Sequence, residues 1–150
     1  MRIAIIEDEE LAVEKLEMLL AKMDFPTIVV AKLDSVRAAT AWFSTNSAPD
    51  LAFFDIQLAD GVSFDIFENV KVNCPVIFTT AYDEYALRAF KVNSIDYLLK
   101  PVDPAHLERA LDKLERLKAE PPAWLKHPEF LALVRELPGA LRDRRPLFAE

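Results

Sequence analysis

With 150 residues, 52% of them hydrophobic, the chain is long enough for one buried core and too apolar to stay disordered. Its net charge of −7 argues against non-specific nucleic-acid binding, which needs lysine and arginine against phosphate, and only 2 glycines argue against a glycine-rich phosphate cradle. A single cysteine, Cys74, leaves no internal disulfide or metal-ligand pair; no apolar stretch reaches the ~18 residues of a membrane span and no signal peptide opens the chain, so a soluble cytoplasmic protein is expected.

RIAIIEDEE opens with an isoleucine-rich run, too short for a helix and suited to a buried strand. From Glu9 the period changes: Ala12, Leu16, Leu19, Leu20 and Met23 recur at helical spacing, with a stop at Pro26. TIVVAK is strand-like, and Ser35 then stands as the N-cap of a helix running to about Asn46. After Pro49 comes a third strand, LAFFD, in which four apolar residues run straight into Asp55. Asp60-Gly61 marks a turn, with Asp60 as its turn former, and VSFDIFENV reads as a short helix on which Asp65 is a solvated acid. Pro75 introduces the strand VIFTTA, Asp83 caps a helix in DEYALRAFKV, and SIDYLL is a fifth strand closed by Lys100-Pro101. Asp103 caps a last helix with Leu107, Ala110, Leu111, Leu114 and Leu117 on one face. Trp42, Phe43, Phe64 and Phe67 suit helix–sheet packing better than a stacking platform, and His106 and His127 have no partners at ligand spacing.

Strand and helix thus alternate five times. Such alternation predicts an α/β fold, a doubly wound five-stranded parallel sheet in the flavodoxin-like order 2-1-3-4-5 with right-handed crossovers. Its continuously apolar strands fit a sheet covered on both faces. Pro121-Pro122 closes this unit, so one domain is expected over 1–120. Residues 1–120 carry 13 basic and 21 acidic side chains, a net of −8, whereas 121–150 carry 5 and 4, a net of +1. The 121–150 stretch cannot build its own core and reads as a C-terminal helical extension, a linker or the start of a missing effector domain.

In an open parallel sheet the ligand lies beyond the carboxyl ends of the strands, where strand order reverses. The first strand ends in Glu7-Asp8, the third in Asp55, the fourth in Thr79-Thr80 and the fifth in Lys100. The order 2-1-3-4-5 sets the first and third strands side by side and gathers these ends in one crevice. Three carboxylates so placed repel, by about 4 kcal/mol per pair at 4 Å and an effective dielectric near 20, and a cation relieves them. An all-oxygen donor set selects a hard ion such as Mg²⁺. A carboxylate held there can attack phosphorus and become an acyl phosphate.

IAIIEDEELA, LAFFDIQLADG, PVIFTTAYDEYALRAFKVNSIDYLLKP and the helix from Asp103 together make residues 2–118 resemble the receiver domain of two-component response regulators, of the type that precedes a LytTR DNA-binding domain. The resemblance implies that Asp55 accepts a phosphoryl group from the phosphohistidine of a sensor histidine kinase. It implies Asp8 as a direct Mg²⁺ ligand beside Asp55, Glu7 acting through water, and the backbone carbonyl of Gln57 completing the shell. Thr80 would bond the phosphoryl group, Lys100 would neutralise it, and Tyr97 would be the switch aromatic. The peptide before Pro101 is expected to be cis. Two departures stand out: Glu7 replaces the commoner aspartate, and the loop from Asp55 to Gly61 is short, with Ala59 where a proline is frequent.

The resemblance also implies a phosphorylation-dependent homodimer through the fourth helix, fifth strand and fifth helix, with DNA reached only through an effector domain absent from this chain. Glu108, Asp112 and Glu115 form an acidic column on the last helix and Arg109, Lys113 and Arg116 a basic one, suited to pair across a two-fold axis. Other readings of the strand-ending aspartate are a haloacid-dehalogenase-like phosphatase and a receiver-like interaction module that is never phosphorylated. The first wants a second acid where Gln57 stands, and the second usually lacks one of the acids or the lysine retained here. A flavin-mononucleotide site is disfavoured because Glu7-Asp8-Glu9-Glu10 would repel phosphate.

Overall fold

The computed structural model describes residues 1–81 and 95–119. The helix expected from Asp83 and the 121–150 extension lie outside the described residues.

Arg2–Ile6 form strand β1, and every residue of it after Arg2 is buried. Helix α1, Glu10–Ala21, buries Val13, Leu16 and Leu20. Strand β2, Ile28–Leu33, is followed by helix α2, Val36–Thr45. Ser35 caps α2 as expected, its Oγ accepting the Ala38 N–H at 3.0 Å. Strand β3, Leu51–Asp55, is buried from end to end. A small antiparallel pair, β4 (Gln57–Leu58) and β5 (Gly61–Val62), precedes helix α3, Phe64–Asn69. Strands β6 (Val76–Thr80) and β7 (Asp96–Leu99) follow, and helix α4, Pro104–Ala119, is the last element among the described residues. Asp103 caps α4 by accepting the Ala105 N–H at 2.8 Å.

The main sheet is parallel and ordered β2-β1-β3-β6-β7. Since β6 and β7 are its fourth and fifth strands in sequence, this is the expected order 2-1-3-4-5. Alternation along each strand divides the apolar residues between two faces. Ile3, Ile5, Leu51, Phe53 and Ile77 pack under α1 and α4 with Leu16, Leu20, Leu107, Leu111 and Leu114. Ala4, Ile6, Ala52, Phe54 and Phe78 pack under α2 and α3 with Ala39, Phe43, Phe64 and Ile66. Phe54 sits at the centre of the second face, with ring centroids 5.8 Å from Phe43, 5.1 Å from Phe67 and 6.1 Å from Phe78. Each fully buried phenylalanine or leucine contributes about 1.5–3 kcal/mol, and these two layers hold the strand ends in place.

One expectation is corrected and one pair of strands is new. Helix α1 stops at Ala21, where the Lys22 and Met23 N–H groups turn back onto the carbonyls of Leu19 and Leu20, well before Pro26. Proline forbids continuation but does not mark where the buried stripe runs out. The β4–β5 pair was not foreseen, because two-residue strands carry no readable period.

Candidate functional site

Register brings the site together. Ile6 pairs with Phe54, Asp55 pairs with Thr79, and Thr80 pairs with Leu99. The residues just past these pairs, Glu7 and Lys100, therefore meet Asp55 at one end of the sheet. The ladder continues through them: Glu7 N–H donates to the Leu33 carbonyl at 2.9 Å and Lys100 N–H to the Thr80 carbonyl at 2.7 Å.

One carboxylate oxygen from each of Glu7, Asp8 and Asp55 lies within 4.8 Å of the others. Glu7 and Asp55 are buried, at 7% and 6% exposure, while Asp8 is exposed and opens the cluster to solvent. Lys100 Nζ donates to Glu7 Oε1 at 2.5 Å and to Asp55 Oδ2 at 3.1 Å. The peptide between Lys100 and Pro101 is cis, as expected. Gln57 N–H reaches Asp55 Oδ1 at 3.3 Å, and Glu9 N–H reaches Glu7 Oε2 at 3.2 Å.

Burial raises the Glu7 carboxyl above the usual glutamate range, and the neighbouring Asp55 adds to this while Lys100 opposes it. Asp8 is raised in the same way, by desolvation and then by Glu7. For Lys100 burial alone would lower the ammonium's pKa, but Glu7 and Asp55 together outweigh it and hold it above the usual lysine value. Three carboxylates and one ammonium leave two net negative charges. An all-oxygen cluster with that residual charge fits a hard divalent cation, so the residues present suit Mg²⁺.

Thr80 is buried at the end of β6. Tyr97 pairs with Phe78, two residues before Thr80 on the same face, and packs half-buried against the aromatic layer. A groove of about 580 Å³ opens beside the cluster, lined by Glu7, Thr79, Lys100 and Pro101 on one side and by Leu11 and Met18 of α1 on the other. Leu11 and Met18 are 72% and 61% exposed.

The columns on α4 are less symmetrical than expected. Glu108, Arg109, Asp112 and Arg116 are exposed and Glu115 is half-buried. Lys113, by contrast, spends its ammonium on the Ile95 carbonyl at 2.7 Å. Two polar roles were missed in the sequence. His106 Nε2 lies 3.6 Å from Asp96 Oδ1, a pairing hidden because one residue is on a helix and the other on a strand. Asp60 is more than a turn former: its carboxylate accepts the N–H groups of Val36 and Arg37 at the start of α2.

The family description of the response regulator receiver domain matches residues 3–112. Among curated proteins, the chain is 36% identical over 121 residues to the sensory transduction protein LytT of Bacillus anthracis, covering 79% of this chain and 48% of that protein. It is 39% identical over 119 residues to LytT of Enterococcus faecalis (77% and 48%), and 34% identical over 121 residues to the transcriptional regulatory protein BtsR of Salmonella typhi (79% and 50%). The chain thus spans about half the length of the curated relatives it matches. Among solved structures, the response regulatory domain of protein mrkE from Klebsiella pneumoniae superposes with a TM-score of 0.66 at 29% identity, covering 77% of this chain and 96% of that one. A response regulator receiver domain protein from Clostridium thermocellum shares the fold, with a TM-score of 0.65 at 23% identity over 79% of this chain and 97% of that one.

Proposed function

The chain belongs to the response regulator receiver domain family, the signalling switches of two-component systems, and we propose that Asp55 is its phosphoacceptor, loaded from the phosphohistidine of a sensor histidine kinase. The observation that carries this reading is the convergence of Glu7, Asp8 and Lys100 on Asp55 at one end of the sheet. In the transfer, an Asp55 carboxylate oxygen forms a bond to phosphorus as the bond from phosphorus to the histidine nitrogen breaks, and the imidazole leaves with the electron pair.

Asp8, Asp55 and the Gln57 carbonyl would hold Mg²⁺, with Glu7 acting through water. When bound, the ion neutralises charge on the phosphoryl oxygens. Lys100 sits between Glu7 and Asp55, within reach of the group that Asp55 would carry. Thr80 would donate to a phosphoryl oxygen from the end of β6, and Tyr97 would follow its movement from the half-buried place it shares with Phe78.

The match to about half the length of the curated relatives supports output through a further domain. We read 1–120 as the receiver unit and 121–150 as the connection to an effector domain. The names of the relatives support a LytTR-type DNA-binding domain and control of transcription. The exposed charges on α4 support a homodimer through that helix, β7 and the fourth helix of the sequence pattern. Among the described residues no helix is long and apolar enough to cross a membrane, and a receiver served by a kinase's phosphohistidine would work in the cytoplasm.

The test is direct. Incubation with Mg²⁺ and acetyl phosphate or phosphoramidate should add one phosphoryl group by intact mass. The increment should vanish in Asp55→Asn and without Mg²⁺. Labelling that persists in Asp55→Asn refutes the assignment.

A further inference from the structure

Asp55 is followed within five residues by a hairpin whose far end grips another helix. Asp60 Oδ1 accepts the Val36 N–H at 2.7 Å and Oδ2 accepts the Arg37 N–H at 3.1 Å. These are two of the N–H groups that the first turn of α2 leaves without a helical partner. The third, on Ala38, is met by Ser35 Oγ at 3.0 Å, and regular helical bonding begins with the Ala39 N–H to the Ser35 carbonyl, also at 3.0 Å. Two of these three N–H groups are therefore satisfied from a turn 24 and 23 residues away. Asp60 is exposed, yet hydrogen bonds from a helix start to a carboxylate are charge-assisted and hold its pKa below the usual aspartate range.

The hairpin between the two ends is closed by its own hydrogen bonds. Gln57 pairs with Val62 and Leu58 with Gly61, while the Ser63 N–H closes onto the Ile56 carbonyl at 2.8 Å. Leu58 is buried in the second core. Gly61, at φ +152°, a backbone conformation that favours glycine, lies beside α2, where a β-carbon would stand in ordinary contact with Val36 Cγ2 at 3.6 Å. At the near end, Gln57 N–H reaches Asp55 Oδ1 at 3.3 Å, a long hydrogen bond that a small shift of the hairpin would break.

We propose that Asp60 is a positioning residue for the site at Asp55: by tying the β4–β5 hairpin to the start of α2, it fixes where Gln57 stands against the phosphoacceptor. This rests on the phosphoacceptor reading above, because Gln57 supplies both the N–H on Asp55 and, in that reading, the carbonyl toward the cation. The short loop makes the tether matter, since few residues separate the grip on α2 from the site. Asp60 itself lies outside the cluster of Glu7, Asp8 and Asp55.

Melting curves titrated with Mg²⁺ alone give the affinity of the parent, Asp60→Ala, Asp60→Asn and Ser35→Ala. Groups that orient metal ligands typically change affinity by 10–100-fold, and Asp60→Ala should weaken Mg²⁺ by about tenfold. Asp60→Asn, which keeps one acceptor oxygen, should fall between it and the parent. Ser35→Ala removes a cap from the same helix end and should lower the melting temperature while leaving the Mg²⁺ affinity unchanged. An unchanged affinity in Asp60→Ala, or an equal loss in Ser35→Ala, overturns the positioning role. If Asp60→Ala does not fold, the comparison of Asp60→Asn with Ser35→Ala decides in the same way. A parent that shows no Mg²⁺ shift overturns the cation site itself, and this role with it.

Discussion

Lys100→Met removes the ammonium that joins Glu7 and Asp55 but keeps most of the aliphatic stem. Two buried carboxylates then face each other with no offset. At the 4.8 Å upper limit of their separation and an effective dielectric near 20, they repel by about 3.5 kcal/mol. A carboxyl can escape by taking up a proton. From the ordinary glutamate value of 4.5, that costs about 3.4 kcal/mol at pH 7 and about 1.4 kcal/mol at pH 5.5, at 1.36 per pH unit. The penalty is set by whichever route is smaller, and Lys100, at 22% exposure, is only partly desolvated. We expect a loss of about 2–3 kcal/mol at pH 7, shrinking to about 1 kcal/mol at pH 5.5. The sign follows from proton counting: the folded variant holds a Glu7 proton that the unfolded chain gives up above pH 4.5, so acidification stabilises the variant relative to the parent. Urea melts at both pH values in a chelating buffer measure this, with Glu7→Gln/Lys100→Met as the control that removes one of the two charges. The double variant should recover most of the loss. An equal loss at both pH values, or a double variant as unstable as the single one, refutes the reasoning.

Mg²⁺ should raise the melting temperature of the unphosphorylated protein, since a ligand at a hundredfold excess over Kd adds about 2.7 kcal/mol to a fold that alone binds it. Asp8→Ala should remove that shift, and a parent whose melting temperature ignores tens of millimolar Mg²⁺ would have no such site. On α4, Lys113 is already engaged by the Ile95 carbonyl, so charge reversal belongs at the exposed Arg109 and Arg116. Arg109→Glu with Arg116→Glu should keep the phosphorylated protein monomeric in sedimentation, and mixing it with Glu108→Lys plus Asp112→Lys should restore a heterodimer. Exposed ion pairs are worth about 0–1 kcal/mol each, so the association should weaken with salt, and an association constant indifferent to charge reversal would falsify the columns as an interface.

The strands and helices were legible because their periods differ and their apolar runs are long. LAFFD could only be a strand covered on both faces, and Leu107, Leu111 and Leu114 could only be a stripe on a helix. What escaped has no local signal. The Asp60 grip on α2 joins positions 24 apart, and the His106 pairing with Asp96 joins a helix to a strand. Sequence spacing predicts neighbours on one element, but a loop carboxylate finds whichever N–H the fold leaves unpaired. Glu7 belongs to the same class. Its letter shows only a longer acid, and its place past β1 is what buries it against Lys100.

The position of the acids is itself a consequence of the core. Between β1 and β3, and between β3 and β6, the described pairs run one to one without a slip. Sequence offset alone then decides which residues meet at the strand ends. A slip of one residue in β3 would turn Leu51 and Phe53 toward α2 and α3, turn Ala52 and Phe54 toward α1 and α4, and exchange Asp55 with Ile56 at the crevice. The core forbids this. Phe54 fills the space between Phe43, Phe67 and Phe78, and the slip that sets Ile56 in the crevice would bring the Asp55 carboxylate into that apolar space instead. The apolar residues before Asp55 therefore do more than fill the interior. They fix the register that delivers one carboxylate, at one height, to Glu7, Asp8 and Lys100. A substitution such as Phe54→Ala should thus disturb the site through register as well as through lost packing.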